Sequence, residues 1–276
     1  MNQFHFCGGL PRAGSTVLMN ILQQNPRIFT GSSSPLPSIL SENILVRGRL
    51  TENFQAMRVQ DADRAMHGLI HGAARGWYEG LTSKPVVISK SRGWSSLFHL
   101  FPNSKYIAPI RDLRDIVESF ERVNNHTRVL HAYNEHGTLI PSMSINEKYN
   151  HYFKSMNALS GTLYTETPRL MESFKKKPIF FLRYEDFTKE PITMLRKLYN
   201  FLDEPYFEHD FNHIKQSEIY EHDNAYFRER TDHEVKPKFR YYSEPERELP
   251  ENFHRKILKE FQWFYKSFYP EVLDEY

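Results

Sequence analysis

The sequence has very little cysteine, because Cys7 is the only one among 276 residues. This excludes a disulfide framework within the chain and a cysteine-rich metal site, and it favours a reducing compartment. Long apolar runs are missing too, since no stretch approaches the roughly eighteen residues that a membrane-spanning helix needs. Residues 1–7 lack the basic start and apolar core of a signal peptide. We therefore expect a soluble, cytoplasmic protein with no membrane partner.

A surplus of one charge sign is also missing, because 36 Lys and Arg face 34 Asp and Glu, for a formal net charge of +2. Nucleic-acid-binding proteins usually have a strongly basic surface, so we expect no nucleic-acid partner. The first acidic residue of the chain is Glu42. An aromatic content of 14% argues against a disordered chain. The length suits a single domain over residues 1–276.

Short apolar runs alternate with helical patterns along the chain. The predicted strands are Gln3–Cys7, Pro85–Ser89, Lys105–Ile110 and Pro178–Arg183. The predicted helices are Ser15–Gln24, Asp61–Tyr78, Leu113–Val123, Asn146–Phe174 and Pro191–Leu202. Strands that alternate with helices indicate an α/β fold with a central parallel sheet and helices on both faces.

The C-terminal quarter of the chain has a different pattern. Residues 205–250 are rich in His, Tyr, Phe and charge and have little periodicity, which is typical of a lid-like surface segment. A helix is predicted over residues 252–269, where Phe253, Ile257 and Phe261 begin a stripe at helical spacing. We expect this stripe to pack in the core and not to contact a cofactor.

The most informative segment is the loop between the first strand and the first helix. It includes Gly9 and Gly14, and the helix opens with Ser15 and Thr16. Glycines allow close backbone approach to a ligand, and amide groups at a helix N-terminus favour an anion. Compared with the Walker A pattern, Ser15 stands where the lysine belongs. The loop's cation is Arg12 instead, so a donor other than a nucleoside triphosphate is indicated.

A second segment joins the third predicted strand to a helix. Arg111 follows the strand directly, and Ser119 lies eight residues later, inside the helix. The carboxyl edge of a parallel sheet is where such folds bind ligands. Both side chains could therefore reach one phosphate group, by an ion pair and a hydroxyl hydrogen bond. Taken alone, this segment is better explained as an ordinary helix N-terminus with alternating charges.

These motifs together resemble those of the PAPS-dependent sulfotransferases, most closely the tyrosylprotein sulfotransferases. The loop Pro11-Arg12-Ala13-Gly14-Ser15-Thr16 resembles their 5′-phosphosulfate-binding loop, and Arg111 with Ser119 resembles their 3′-phosphate motif. Three more stretches are similar in order and approximate spacing: residues 25–31, 101–105 and 229–237.

The resemblance implies a P-loop-like α/β sandwich that binds 3′-phosphoadenosine 5′-phosphosulfate (PAPS) and releases adenosine 3′,5′-bisphosphate (PAP). It implies that residues 12–16 hold the 5′-phosphate and that Arg111 and Ser119 hold the 3′-phosphate. Tyr184 matches a tyrosine that contacts the nucleotide, and Lys236 matches a residue that closes over it.

The chemistry of sulfuryl transfer is also consistent with the residues present. A sulfuryl group has less charge than a phosphoryl group, so cationic side chains stabilise its transfer without a metal. The candidates are Arg12 and Lys90, and Lys90 follows a predicted strand and matches the relatives' catalytic lysine. We expect transfer to an acceptor hydroxyl of a protein tyrosine, a carbohydrate or a small molecule.

A general base is not evident in the sequence. The relatives' glutamate position holds Ser32, and the histidine position of the cytosolic sulfotransferases holds Arg92. A serine is not a competent base at neutral pH without help. The remaining candidates, none with a supporting motif, are Glu42, Glu52, His67 and His71.

Two alternatives to an active sulfotransferase remain open. A P-loop nucleoside or metabolite kinase would explain Gly9 and Gly14 but not Ser15 at the lysine position. A sulfotransferase-like module that binds the nucleotide without activity would explain the missing base. The acceptor class and the oligomeric state are not indicated by the sequence.

Overall fold

The computed structural model describes residues 3–31, 33–126, 142–154, 158–216, 236–243 and 247–274. Its centre is a parallel sheet of five short strands in the order β2-β3-β1-β4-β5. The strands are β1 (Gln3–Cys7), β2 (Ile28–Thr30), β3 (Val86–Lys90), β4 (Tyr106–Ile110) and β5 (Ile179–Arg183). Because β1 lies between β3 and β4, it is buried on both sides, as its run of apolar residues predicts.

Helices surround this sheet and account for most of the remaining regular structure. The N-terminal half contains α1 (Ser15–Leu22), α2 (Leu36–Ser38), a π-helix (Ile39–Val46), α3 (Arg47–Arg49), α4 (Glu52–Gln55), α5 (Val59–Glu79), α6 (Trp94–Leu97), a 3₁₀ turn (Phe98–Leu100) and α7 (Leu113–His126). The C-terminal half contains α8 (Ile145–Phe153), α9 (Ala158–Gly161), a second π-helix (Thr162–Glu166), α10 (Thr167–Phe174), α11 (Tyr184–Lys189), α12 (Pro191–Leu202), α13 (Glu251–Glu260), α14 (Gln262–Phe268) and α15 (Pro270–Leu273).

Each face of the sheet is covered by its own helices. On one face, Cys7 and Ile107 pack with residues of α1 and α12. On the other face, Phe6 and Tyr106 pack with residues of α5, α6 and α10. The predicted α/β fold with a central parallel sheet between helices is therefore confirmed.

A third core lies beyond the carboxyl end of β4 and is formed mainly by α7, α8, α13 and α14. Phe253, Ile257, Phe261 and Phe264 are buried there. The stripe of residues predicted to pack in the core does so. No described helix is long and apolar enough to cross a membrane.

The structure corrects several predicted element boundaries. The strand β2 was not predicted, because its three residues are too short to display a period. The single helix expected over residues 146–174 is instead divided into α8, α9, the second π-helix and α10. The helix expected over residues 252–269 is two helices, because the backbone of Phe261 leaves the helical region at φ −109° and ψ 33°. Of the segment 205–250, the described residues form no helix or strand.

Candidate active site

The loops that follow β1 and β4 meet at the carboxyl edge of the sheet. From β1 the chain adds β2 and β3 on one side and then β4 and β5 on the other. The strand order therefore reverses between β1 and β4. Folds of this kind bind ligands in the crevice outside such a switch point. Residues 8–14 follow β1, and Arg111 follows β4.

The loop after β1 is held in a conformation that needs its glycines. Gly9 has a φ of 133° and Gly14 a φ of 79°, values that disfavour other residues. A Cβ atom at Gly9 would lie 2.4 Å from the carbonyl oxygen of Pro109, on the neighbouring strand β4. Arg12 also adopts a positive φ of 58°. A non-glycine residue in this region is often found at a functional site.

The helix α1 presents an uncapped N-terminus to this loop. Gly14 is its N-cap residue and supplies no side-chain hydrogen bond, and the first turn has no acidic residue. The first amide groups of a helix have no partner within the helix and favour negative charge. The local structure is therefore that of an anion-binding site.

Four side chains form what we call the arginine cluster: Arg12, Arg111, Ser119 and Tyr184. The Nε group of Arg12 donates to Oγ of Ser119 at 3.1 Å, and Nη1 of Arg111 donates to the Arg12 carbonyl oxygen at 3.1 Å. The Arg111 guanidinium lies 4.3 Å from the centre of the Tyr184 ring. The same ring packs on Gly14, where an added Cβ would lie 2.8 Å from it. Residues far apart in sequence thus surround the helix N-terminus.

One donor of this cluster has no partner. Nε of Arg111 is buried and makes no hydrogen bond to the described part of the chain. Leaving a buried charged donor unpaired costs about 1–3 kcal/mol or more. An anionic ligand at this position would satisfy it.

A second cation reaches the loop from β3. Lys90 is the last residue of that strand, and its Nζ donates to Oγ1 of Thr16 at 2.7 Å. In a Walker A loop, the hydroxyl at this position binds Mg²⁺. Here the ammonium group of Lys90 occupies the place that Mg²⁺ has in a Walker A loop, so the Thr16 hydroxyl faces that ammonium group. Within the described ranges, no three His, Cys, Asp or Glu side chains are grouped so as to hold a metal ion.

The segment that contains Arg111 is supported by a buried ionic network. Asp112 pairs with Arg114 at 2.6 Å, and its Oδ1 accepts from the Tyr265 hydroxyl at 2.8 Å. Burial raises the pKa of the Asp112 carboxyl, but Arg114 and Tyr265 outweigh burial and lower the pKa overall. The amide of Asp112 also donates to Glu185, which accepts from the Tyr269 hydroxyl at 2.8 Å. This network ties the Arg111 loop to α11 and to the C-terminal helices.

The helix α7, which carries Ser119, also holds the last residues of the lid-like segment in place. Asp115 pairs with Arg247 at 3.1 Å. The two carboxylate oxygens of Glu118 accept from the amide groups of Glu248 and Leu249 at 3.0 and 2.9 Å. Hydrogen bonds to a buried carboxylate are strong, so this end of the segment is fixed beside the arginine cluster.

The structure brings most of the predicted site residues together. Pro11, Ala13, Ser15 and Thr16 lie on the loop and the first turn of α1, beside the arginine cluster and Lys90. Lys236 is exposed and has no hydrogen-bond or ion-pair partner among the described residues. Ser32 and residues 229–235 lie outside the described residues.

The bases considered from the sequence are not placed at this site by the structure. Glu42, Glu52 and His67 are exposed. His71 bonds to the Leu100 carbonyl oxygen at 2.6 Å and lines a cavity with the first residues of β1, at the opposite, amino edge of the sheet. This position does not support His71 as the base. A buried carboxyl group on the carboxyl side, Glu166, was missed, because no motif surrounds it.

The fold and the site together define an α/β protein with an anion-binding loop at the switch point of its sheet. A profile described as "Sulfotransferase family" matches residues 5–208. The chain belongs to the sulfotransferase family. A comparison with curated protein sequences finds no match.

Solved structures of sulfotransferases share the fold at low sequence identity. The sulfotransferase domain of the Synechococcus PCC 7002 olefin synthase is 15% identical, with a TM-score of 0.54 over 95% of this chain and 94% of that one. The Alicyclobacillus acidocaldarius sulfotransferase is 18% identical, with a TM-score of 0.48 over 83% and 92%. The mouse sulfotransferase SULT7A1, solved with PAP, is 13% identical, with a TM-score of 0.44 over 75% and 60%.

Proposed function

We propose that this protein transfers the sulfuryl group of PAPS to an acceptor hydroxyl. The observation that carries the proposal is the arginine cluster, in which two cations from different loops converge beside the uncapped N-terminus of α1. The donor has two phosphate groups, and this crevice offers two separate sets of anion-binding groups.

Each set has a proposed role. The amide groups of residues 12–16, with the hydroxyls of Ser15 and Thr16, hold the 5′-phosphate. Arg111 and Ser119 hold the 3′-phosphate, which gives the unpaired Nε of Arg111 a partner. Tyr184 packs between Arg111 and Gly14 and orients the guanidinium. Lys236 closes over the nucleotide.

Arg12 and Lys90 supply the electrostatic stabilisation in this proposal. PAPS contributes an activated sulfuryl group and a phosphate leaving group. Both cations border the loop, where they neutralise charge that develops on the leaving oxygen. Preorganised charges of this kind account for much of the rate enhancement of many enzymes.

Calorimetric binding of PAP without added metal tests the donor assignment. We expect wild-type protein to bind PAP more tightly than ATP or ADP. Arg111→Ala should weaken PAP binding by roughly 10- to 100-fold, because charged hydrogen bonds contribute about 1.5–3 kcal/mol. Arg196→Ala is a matched control, since Arg196 stacks on the Tyr206 ring at 4.1 Å but lies on α12. Equal PAP affinity in Arg111→Ala and wild type would reject the 3′-phosphate assignment.

A turnover assay tests the transfer itself. With PAPS and a panel of tyrosine peptides, carbohydrates and phenols, Lys90→Ala should lower turnover by about 10²- to 10³-fold while PAP affinity changes little. Lys84→Ala is the matched control, because Lys84 lies near the opposite end of β3 and bonds to the Ile28 carbonyl oxygen. If the wild type binds PAP and sulfates no acceptor, the protein is a binding module. If it binds ATP with magnesium and not PAP, it is a kinase.

A further inference from the structure

A buried tyrosine reaches the carboxyl edge of the sheet on the face opposite α1. Tyr106 is fully buried on β4. Its hydroxyl lies so close to Gly8 that an added Cβ there would be 2.1 Å away, and the same Cβ would lie 2.9 Å from the Ser91 carbonyl oxygen. The hydroxyl therefore borders both the loop after β1 and the residue that follows Lys90. It has no hydrogen-bond partner among the described residues.

A buried carboxyl group lies near that hydroxyl. Glu166 ends the second π-helix, and its Oε2 is buried without a partner in the described part of the chain. Burial raises the pKa of Glu166 to about 8, against the opposing charges of Arg92 and Arg169. The charge of Glu166 in turn raises the pKa of Tyr106, after the larger effect of burial. We call Glu166, Tyr106, Arg92 and Arg169 the Glu166 cluster.

The elements that contribute to this cluster converge from different parts of the fold. Arg92 comes two residues after Lys90, Tyr106 from strand β4 next to the central strand, and Arg169 from the first turn of α10. The cluster therefore borders Lys90 and the loop after β1 from the side of the sheet that α5, α6 and α10 cover.

Two buried polar groups that interact electrostatically and have no hydrogen-bond partner among the described residues need an explanation. Each one costs about 1–3 kcal/mol when it is left without a partner. Buried groups of this kind are rare in native proteins, and unpaired carboxyl groups with a raised pKa are concentrated at functional sites. A substrate hydroxyl bound here would satisfy both.

We propose that Glu166 is the general base that deprotonates the acceptor hydroxyl and that the Tyr106 hydroxyl orients the same oxygen. This inference rests on the proposed function. In the step, the acceptor O–H bond breaks and its proton moves to Oε2 of Glu166. The acceptor oxygen forms a bond to sulfur. The bond from sulfur to the bridging oxygen breaks, and its electron pair leaves on the 5′-phosphate of PAP.

The pH dependence follows from the ionised form of this base. Only the carboxylate accepts a proton, and its fraction rises as the pH rises through about 8. Turnover should therefore rise as the pH increases towards about 8, and it should be low at pH values well below 8. Arg92, Arg169 and Tyr106 are the charged and titratable groups that interact with the carboxyl group.

The test uses Glu166→Gln in the full-length protein, with Glu172→Gln as the matched control because Glu172 is an exposed carboxylate on α10. PAP affinity, measured by calorimetry, should stay within about twofold of wild type. With phenol as the probe acceptor, turnover in Glu166→Gln should fall by about 10²- to 10⁴-fold and lose its alkaline limb. With 4-nitrophenol, which is about half ionised at neutral pH without a base, the loss should be below about tenfold.

The remaining outcomes separate this inference from the proposed function. An equal loss with both phenols, with the alkaline limb retained, would make Glu166 a structural residue. If the wild type turns over neither phenol, the sulfate that it releases from PAPS with water as acceptor is measured instead. If the enzyme does not accelerate this release of sulfate, the general-base role of Glu166 is rejected, although PAP binding would still support the donor site. Failure of the wild type to bind PAP would reject the proposed function itself. Glu166→Asp should keep the limb at a reduced rate.

Discussion

The arginine cluster and the Glu166 cluster border the same carboxyl edge but satisfy their polar groups in opposite ways. Behind the arginine cluster, the buried carboxylates of Asp112, Asp115 and Glu118 all have partners. In the Glu166 cluster, Oε2 of Glu166 and the Tyr106 hydroxyl are buried without a partner in the described part of the chain. Paired groups hold a loop in place, whereas unpaired groups raise the free energy of the folded state and remain available to a substrate. The comparison thus separates a rigid side, where we propose that the donor binds, from a side with unsatisfied groups, where we propose that the acceptor binds.

The largest effect should come from breaking the network behind the arginine cluster. Asp112→Ala leaves the guanidinium of Arg114 buried without its partner, and Arg114 is only 3% exposed. We expect a loss of about 3–5 kcal/mol in the free energy of unfolding, measured by chemical denaturation. Asp61→Ala removes an exposed pair with Arg64 and should change stability by about 0–1 kcal/mol. Similar losses in the two variants would show that the network contributes no more than a surface pair.

Removing the Glu166 carboxyl group should instead increase the free energy of unfolding. The pKa of Glu166 is raised to about 8 in the folded protein, against an ordinary value of 4.5. Between these values the folded state keeps a proton that the unfolded state has released, so wild-type stability falls as the pH rises. Glu166→Gln does not lose stability in this way. Its free energy of unfolding should therefore increasingly exceed that of wild type between pH 5 and pH 8, by an amount on the order of a few kcal/mol. Thermal unfolding at both pH values measures the difference, and a constant difference would contradict the raised pKa.

The smallest expected effects on stability come from substituting two fully buried tyrosines, one from each side of the comparison. Tyr265 donates to Asp112 at 2.8 Å, so Tyr265→Phe should lower the free energy of unfolding by about 1.5–3 kcal/mol. Tyr106 has no partner, so Tyr106→Phe should leave stability unchanged or raise it by up to about 1 kcal/mol. Chemical denaturation of both variants provides the test. Equal losses would mean that the two clusters do not differ in how their hydroxyls are satisfied.

Much of the fold could be predicted from the sequence because its signals are local. The strand at residues 3–7 was predicted with its observed bounds, and Pro191–Leu202 is a helix as expected. The glycines of the loop after β1 are explained by positive φ values at Gly9 and Gly14. The strand β2 and the division of residues 146–174 were missed, since their stability depends on distant packing partners and not on a local period.

The sequence by itself determined the loop after β1, the order of the four longer strands, and the cations that accompany them. These properties depend on backbone preferences and charge, which neighbouring residues specify. Only the tertiary structure brought Arg12, Arg111 and Ser119 together and buried Glu166 beside Tyr106. The pairing and pKa of a buried group depend on the summed fields and desolvation from distant segments. For this reason the donor side was evident from motifs, whereas the candidate base was evident only from the folded chain.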